Sequence, residues 1–301
     1  MGSPARPYVR VMILVTGATG NAGGAVARAL LAAGRPVRAL IRADADAARL
    51  PAGTEVFVRD LNRPETLAPG LRGVKAVFLL SGYDGLRDTL DLMRTSGVER
   101  VVLLSSSAVP GGDMGNAIAR YHIVAEQAVR SSGLPWTFLQ PNSFMSNTLR
   151  WAAQLGAGDV VRAPFGGVAV AAIDPHDVGA VAAAALTSPE HEGRTYRLSG
   201  PESLLPSELV EILGHVLGRT LRFEEQSDVE AWAELEAAMP IEYVNAIFSF
   251  FGDGDLDESR VLPAVEEITG RRPRSFEAWA RAHADAFVIP DFADSLSRAA
   301  A

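Results

Sequence analysis

The sequence predicts an α/β protein built on a doubly wound parallel sheet, with a smaller lobe towards its C-terminal end. Three observations predict it. Short aliphatic or β-branched runs alternate with longer helical stretches through the first two-thirds of the chain, which is the rhythm of βαβ units. Those runs are continuously apolar instead of alternating, so both faces of each strand are buried, as in a parallel sheet covered by helices. Links such as Ala33-Gly34-Arg35-Pro36 and Ser131-Ser132-Gly133-Leu134-Pro135 read as helix end, turn and strand start.

Taken in order, the spacing predicts strands over Val11–Val15, Pro36–Ile41, Glu55–Val58, Ala76–Leu80, Arg100–Leu104, Trp136–Leu139 and Thr195–Leu198. Helices are predicted over Asn21–Ala33, Leu86–Ser96, Ala117–Ser132 and Val178–Leu186. After about Asn142 the rhythm loosens and a second lobe begins. Its helix signals are Leu205–Leu217, opened by Pro206 and Ser207 and closed by Gly218, then Val229–Ala238 and Ser275–Ala286. The division expected is a nucleotide-binding unit over 11–155 and a mainly substrate-binding lobe over 156–301, interleaved because the strand near 195–198 returns to the sheet. The Ala182–Ala185 cluster reads as a tight helix and Ala299–Ala301 as a frayed end. Phe248-Ser249-Phe250-Phe251 is an aromatic cluster that either packs in the core or lines a pocket.

Composition narrows the function. The 301 residues are 48% hydrophobic and 21% charged, enough apolar side chain for a large core. There is no cysteine, so disulfide, thiolate and cysteine-metal chemistry are excluded and a reducing, cytoplasmic setting is expected. A net charge of −8 gives no whole-chain attraction for nucleic acid. The opening MGSPARPYVR leads into only five apolar residues, VMILV, before Thr16 and Gly17, too few for a signal peptide or a membrane span. The five histidines have no metal-ligand spacing, and no metal is expected. Asp253-Gly254-Asp255-Leu256-Asp257-Glu258 begins like a calcium loop, but its sixth position is Glu258 and its twelfth Ala264, so it reads as a solvated acidic turn. Arg271-Arg272-Pro273-Arg274 is a compact basic patch, and in so acidic a chain nucleic-acid binding through it is not expected.

The strongest local signal is a strand, a glycine turn and a helix over Val11 to Gly24. Gly17 lets the chain turn sharply off the strand, Gly20 lets backbone approach a pyrophosphate, and Gly23 lets the helix pack against the sheet. The helix N-terminus adds free N–H groups and the positive end of its dipole. A second strand follows within the distance that a dinucleotide-binding unit requires. Where the second strand ends, a carboxylate would accept from a free ribose 2′-OH and an arginine would pair with a 2′-phosphate. Arg42 stands there, and Asp44 and Asp46 come after the strand, so NADP(H) is the expected cofactor.

Thr16-Gly17-Ala18-Thr19-Gly20-Asn21-Ala22-Gly23 resembles the short-chain dehydrogenase/reductase superfamily, specifically its atypical NmrA-like branch, through its Gly-x-x-Gly-x-x-Gly pattern. The resemblance continues in Arg59-Asp60-Leu61, in the stretch from Gly133 to Asn147, in Ile173-Asp174-Pro175-His176-Asp177-Val178 and in the stretch from Thr269 to Phe276. It implies a Rossmann-type domain with Asp60 and Leu61 against the adenine, and Leu80, Ser81 and Gly82 along the pyrophosphate and nicotinamide ribose. Thr19, Asn21 and Ala22 of the turn, with Ser105 and Pro141 at the ends of later strands, join the cofactor side.

A typical member of the superfamily places a tyrosine and, four residues on, a lysine along one helix face. Tyr121 is suitably placed beyond Ser105-Ser106-Ser107, but Ala125 stands four residues later. His122 with Glu126 at i+4 takes the pair's place, and the resemblance implies His122 as a donor to the ribose or substrate with Glu126 orienting it. That carboxylate would raise the imidazole pKa, and Tyr121, turned about 100° around the helix, would address a different atom. Without the lysine, an electron-poor acceptor such as a quinone, azo bond or enone is favoured. The leading expectation is an NAD(P)H-dependent oxidoreductase acting on a small apolar acceptor lined by Asn142, Phe144 and Met145, as a monomer or homodimer. A non-catalytic NADP(H) sensor with a protein partner, and an isomerase or cyclase on the same fold, are the alternatives.

Overall fold

The first aliphatic run forms β1 (Met12–Thr16), and the glycine turn delivers the chain into α1 (Asn21–Ala32). There follow β2 (Val37–Ile41), β3 (Glu55–Val58), β4 (Val74–Leu80), α2 (Leu86–Thr95), β5 (Arg100–Leu104), α3 (Ala117–Ser131) and β6 (Trp136–Pro141). These come from a computed structural model, which describes residues 11–288. The opening segment 1–10 and the Ala299–Ala301 run lie outside the described residues.

Beyond β6 the chain leaves the sheet for α4 (Ala152–Ala157) and β7 (Val160–Ala163), then returns through α5 (Pro175–Thr187) and β8 (Arg194–Leu198). It leaves again for α6 (Pro206–Leu217), β9 (Arg222–Glu225), α7 (Asp228–Ala238), α8 (Ile241–Ile247), α9 (Ala264–Thr269) and α10 (Phe276–Ala282). The main sheet has seven strands in the order β3-β2-β1-β4-β5-β6-β8, and every pairing is parallel.

Alternate residues along each strand face opposite layers, and the core divides accordingly. Ile13, Val15 and Phe78 pack with Val26 and Leu30 of α1 and Val178 and Val181 of α5. Leu14, Leu79 and Phe138 pack on the other face with Leu90 of α2 and Val129 of α3. A third cluster, around Met145, Trp151, Val161, Leu213, Phe276 and Trp279, is the core of the second lobe. Helix α5 crosses α1 at backbone distance: a Cβ on Gly179 would stand 2.7 Å from the Ala25 carbonyl carbon, which explains the small residues along α5.

Helix α5 starts at Pro175, three residues earlier than the spacing predicts, because Asp174 caps it by accepting from the His176 N–H at 2.8 Å and proline suits the first turn. The predicted helix Ser275–Ala286 stops at Ala282. His283 leaves the helical region at φ −123°, and only a 3₁₀ turn, Ala284–Phe287, follows. A two-stranded parallel sheet of β7 and β9 was not expected: β7 is four residues long, and β9 reads Arg-Phe-Glu-Glu, without an apolar run. In the basic turn, Arg274 donates its N–H to Asp177 at 2.7 Å and its guanidinium lies 3.4 Å from Asp174, tying the turn to the start of α5.

Candidate active site

In the strand order, connections leave β1 in opposite directions towards β2 and β4, and a crevice opens at the carboxyl ends of the strands there. Thr16 Oγ1 bridges it by accepting the Leu80 N–H at 3.0 Å. Gly17 sits at φ +61°, and a Cβ on it would be 2.3 Å from Leu80 Cδ1. A Cβ on Gly23 would be 2.2 Å from the Gly17 carbonyl oxygen, a clash with backbone that cannot move aside. Gly20 is the N-cap of α1 with no side-chain cap, and the first helical bond is from Gly24 N–H to the Gly20 carbonyl, 2.9 Å. The preceding amides of the turn, with the dipole's positive end behind them, suit a pyrophosphate. Asn21 turns its side chain away from that role and donates to Ser146 Oγ at 3.1 Å.

Along the adenine side, Arg42 follows β2 directly, is exposed, and makes no hydrogen bond or ion pair among the described residues. Asp44 and Asp46 lie beyond it in a 3₁₀ turn, Asp44–Arg49. Arg49, a cation the sequence reading passed over, donates to the Thr19 carbonyl at 3.1 Å. Asp60 accepts the Asn62 N–H at 2.9 Å, and Leu61 is buried.

At the ends of β4 and β5, Tyr121 and His122 converge on one residue. The Tyr121 hydroxyl donates to the Ser81 carbonyl at 2.7 Å, and His122 Nδ1 lies 3.3 Å from Ser81 Oγ. Their rings meet edge to face at 4.9 Å. As expected of neighbours on a helix they address different atoms, although both atoms belong to Ser81: its carbonyl for Tyr121 and its hydroxyl for His122. Gly82, at φ +90°, makes it possible, since a Cβ there would stand 1.9 Å from the Tyr121 hydroxyl.

The Ser81 hydroxyl donates to the Leu104 carbonyl at 3.1 Å, so His122 Nδ1 carries the proton towards Ser81 and Nε2 is left as an acceptor. Burial pushes the His122 pKa down to about 4, against the expected rise. Burial first, and then the neighbouring Tyr83 and Tyr243, push Tyr121 up to about 12.

Glu126 is not the orienter of His122. Nearly fully buried, it accepts from Ser105 Oγ at 2.6 Å and Gln140 Nε2 at 2.8 Å, with Arg130 at 3.4 Å, and so fastens α3 to the ends of β5 and β6. Ser105 is taken up by this tie, and the Pro141 carbonyl accepts the Ser107 N–H at 3.0 Å.

Beyond β6 lies a cavity of about 160 Å³ whose walls include Phe144 and Met145, as expected, together with Trp151, Phe165 and Phe251. Asn142 is not among its walls. It is 3% exposed and its amide donates to the carbonyls of Ala171 at 3.3 Å and Glu258 at 3.0 Å, so it braces the backbone behind the site. The aromatic cluster divides: Phe251 lines the cavity, while Phe250 packs with Ala108, Ala119 and Ile123. Phe165 holds a left-handed φ of +59°, with its ring 5.2 Å from that of Phe248 and 5.8 Å from that of Phe251.

The predicted acidic turn is partly wrong. Glu258 is buried and accepts from Ser107 Oγ at 2.5 Å, from Ser143 Oγ at 2.6 Å and from the Ser143 N–H at 3.0 Å.

A helix N-terminus at a topological switch point, ringed by glycines that a Cβ would close, defines a nucleotide-binding α/β protein. Residues 17–189 match the NAD(P)H-binding family. A (4-alkanoyl-5-oxo-2,5-dihydrofuran-3-yl)methyl phosphate reductase of Streptomyces griseus is 43% identical, the match covering 92% of this chain and 99% of that one. An NAD(P)H azoreductase of Xenophilus azovorans is 34% identical over 92% of this chain and 99% of its own. Among solved structures, an NADPH-dependent quinone oxidoreductase of Escherichia coli, in complex with NADPH, superposes with a TM-score of 0.74 at 23% identity, covering 91% of this chain and 100% of that one. The chain belongs to the NAD(P)H-binding family and is an NAD(P)H-dependent reductase of a small acceptor. Among the described residues no helix is long and apolar enough to cross a membrane.

Proposed function

We propose that this reductase takes NADPH in preference to NADH and reduces an electron-poor double bond, that of an enone, quinone or azo compound, in an acceptor held in the cavity beyond β6. The bound cofactor supplies the hydride. The observation that carries the reading is the protonation state of the site. His122 is neutral at physiological pH and presents an acceptor nitrogen, while Tyr121 is too weak an acid and already donates to Ser81. A site whose described side chains offer no ready acid suits an acceptor whose carbonyl or azo group can hold the incoming charge as an enolate, phenolate or nitrogen anion. That anion takes its proton from solvent as the product leaves, the protein's part being to orient the two reactants.

Each residue then has a task. The amides from Gly20 to Gly23 receive the pyrophosphate, and the unpaired Arg42 receives the 2′-phosphate. His122 Nε2 accepts from a ribose hydroxyl, and Phe144, Met145 and Phe251 enclose the acceptor. The Streptomyces relative's name describes an alkene conjugated to two carbonyls, and the Xenophilus relative's an azo bond, which are acceptors of this kind. We place the protein in the cytoplasm on its cysteine-free composition and its net charge of −8, acting on a small-molecule substrate as one or two copies of the chain. Titration calorimetry with both cofactors, before and after Arg42→Ala, tests the cofactor preference. Absorbance of NADPH with a panel of enones, quinones and azo dyes tests the reaction. Equal affinities for the two cofactors, or no oxidation across the panel, would refute the respective half.

A further inference from the structure

We infer that the acceptor carries an oxyanion, a phosphate ester or a carboxylate, and that Arg150 binds it at the wall of the cavity. The inference rests on the reading of that cavity as the acceptor site.

Among the described residues Arg150 is the one charged group in a lining otherwise made mainly of Phe, Met, Val, Leu, Ala and Pro side chains. Two hydroxyls of the lining are already engaged: that of Ser143 donates to Glu258 and that of Thr148 to the Met145 carbonyl at 2.8 Å. Arg150 makes no hydrogen bond and has no carboxylate within 4.0 Å among the described residues. The charge it feels, Glu234, accepts a hydrogen bond at 2.8 Å from Gln226.

Solvent reaches the Arg150 side chain, yet protein surrounds it on most sides, as befits a group in the wall of a concavity. That burial holds its guanidinium below the ordinary value, with the Glu234 charge opposing part of the shift. A guanidinium in that position, exposed to solvent and with no carboxylate beside it among the described residues, is open to a counter-charge. The next residue, Trp151, lines the same cavity, and its indole N–H is a buried donor without a partner. A buried donor without a partner beside an exposed guanidinium points to an acceptor-rich ligand. A guanidinium is well shaped to meet one, because its forked donors match two oxygens of a phosphate or carboxylate. Both residues stand in the 3₁₀ turn Met145–Trp151, so an anion there would tether one end of an acceptor whose apolar body rests on Phe144, Met145 and Phe251.

The test is equilibrium binding to the NADP⁺-saturated protein by calorimetry, with a hydroxymethyl-substituted cyclohexenone, its phosphate monoester and the corresponding carboxylate. An anionic form should bind about 30-fold more tightly than the alcohol, the worth of one charge-assisted pair. Whichever anion gains more identifies the group. Arg150→Met should erase that preference while leaving the alcohol's affinity, the NADPH affinity and the melting temperature within about twofold or a few degrees, and Arg150→Lys should restore part of it. The inference is overturned if the wild type binds the alcohol as well as both anions, if Arg150→Met weakens all three alike, or if none of them binds at millimolar concentration. NADPH oxidation is followed separately. An Arg150-dependent preference without oxidation leaves this inference standing and sinks the proposed reaction, and oxidation without the preference does the reverse.

Discussion

Replacing Glu258 by alanine should loosen the wall of the site and lower the stability of the whole molecule. The carboxylate takes three donors, the hydroxyls of Ser107 and Ser143 and the Ser143 N–H, from chain 151 and 115 residues away. Each donor left unsatisfied away from water costs about 1–2 kcal/mol, and removing the buried carboxylate relieves part of its own desolvation, so a net loss of about 3 kcal/mol is expected. For a chain of this size that corresponds to a fall in Tm of about 5 °C. Glu258→Gln keeps an acceptor oxygen, and the serine hydroxyls can rotate to accept from its amide, so its loss should be about 1 kcal/mol. Because Ser143 lines the cavity, KM for the acceptor should rise in Glu258→Ala with the NADPH affinity unchanged. Thermal melts and steady-state kinetics read both. A Tm within about 1 °C of wild type would refute the claim that this carboxylate holds the segment in place.

Three further outcomes are expected. Gly23→Ala puts a methyl 2.2 Å from the Gly17 carbonyl oxygen and should weaken NADPH binding at least about tenfold in calorimetry, since the phosphate turn itself must shift. His122→Ala should lower turnover about tenfold and Tyr121→Phe less, because the imidazole nitrogen is free to meet a ligand while the phenol is bonded to Ser81; loss of turnover in Tyr121→Phe alone would reverse the assignment. His122 also makes stability depend on pH. Its pKa falls from 6.5 in the unfolded chain to about 4 in the fold, so the unfolded state binds the extra proton between those values. That contribution is fully present above pH 6.5 and is lost as pH falls to 4, by up to about 3 kcal/mol. Urea unfolding at pH 7, 5.5 and 4.5 should show a shallower slope for His122→Gln than for wild type, and equal slopes would contradict the burial argument.

The sheet was legible because its signal is local. Runs such as Val101–Leu104 and Val74–Leu80 carry their burial in their own composition, and the glycine turn announces a backbone conformation that side chains would forbid. The cofactor edge followed from topology. The polar ties were not legible, because each joins residues far apart in sequence. Glu126 shares a helix face with His122, and that proximity suggested a pair, but Ser105 and Gln140 reach it from two strands. Glu258 sits in a run of aspartates that favours solvent, and only Ser107 and Ser143 make its burial tolerable. Arg150 gave no signal at all. An arginine in a loosely patterned stretch reads as surface, and its meaning comes from the aromatic and aliphatic walls that β7, α6 and the Phe248–Gly252 turn bring around it.

The path of the chain between the lobes has a consequence for how the molecule comes apart. After β6 the chain builds β7, goes back to lay α5 against α1 and to add β8 at the edge of the main sheet, and only then completes the second lobe. A cut near residue 155 would not free a self-sufficient first half. It would strip α5 from the backbone of Ala25 and leave β6 as a bare edge, with Phe138 and Leu139 unpaired where Thr195 and Tyr196 had lain alongside them. Heat or denaturant should therefore melt both lobes in a single cooperative step, and limited proteolysis should not release either half intact.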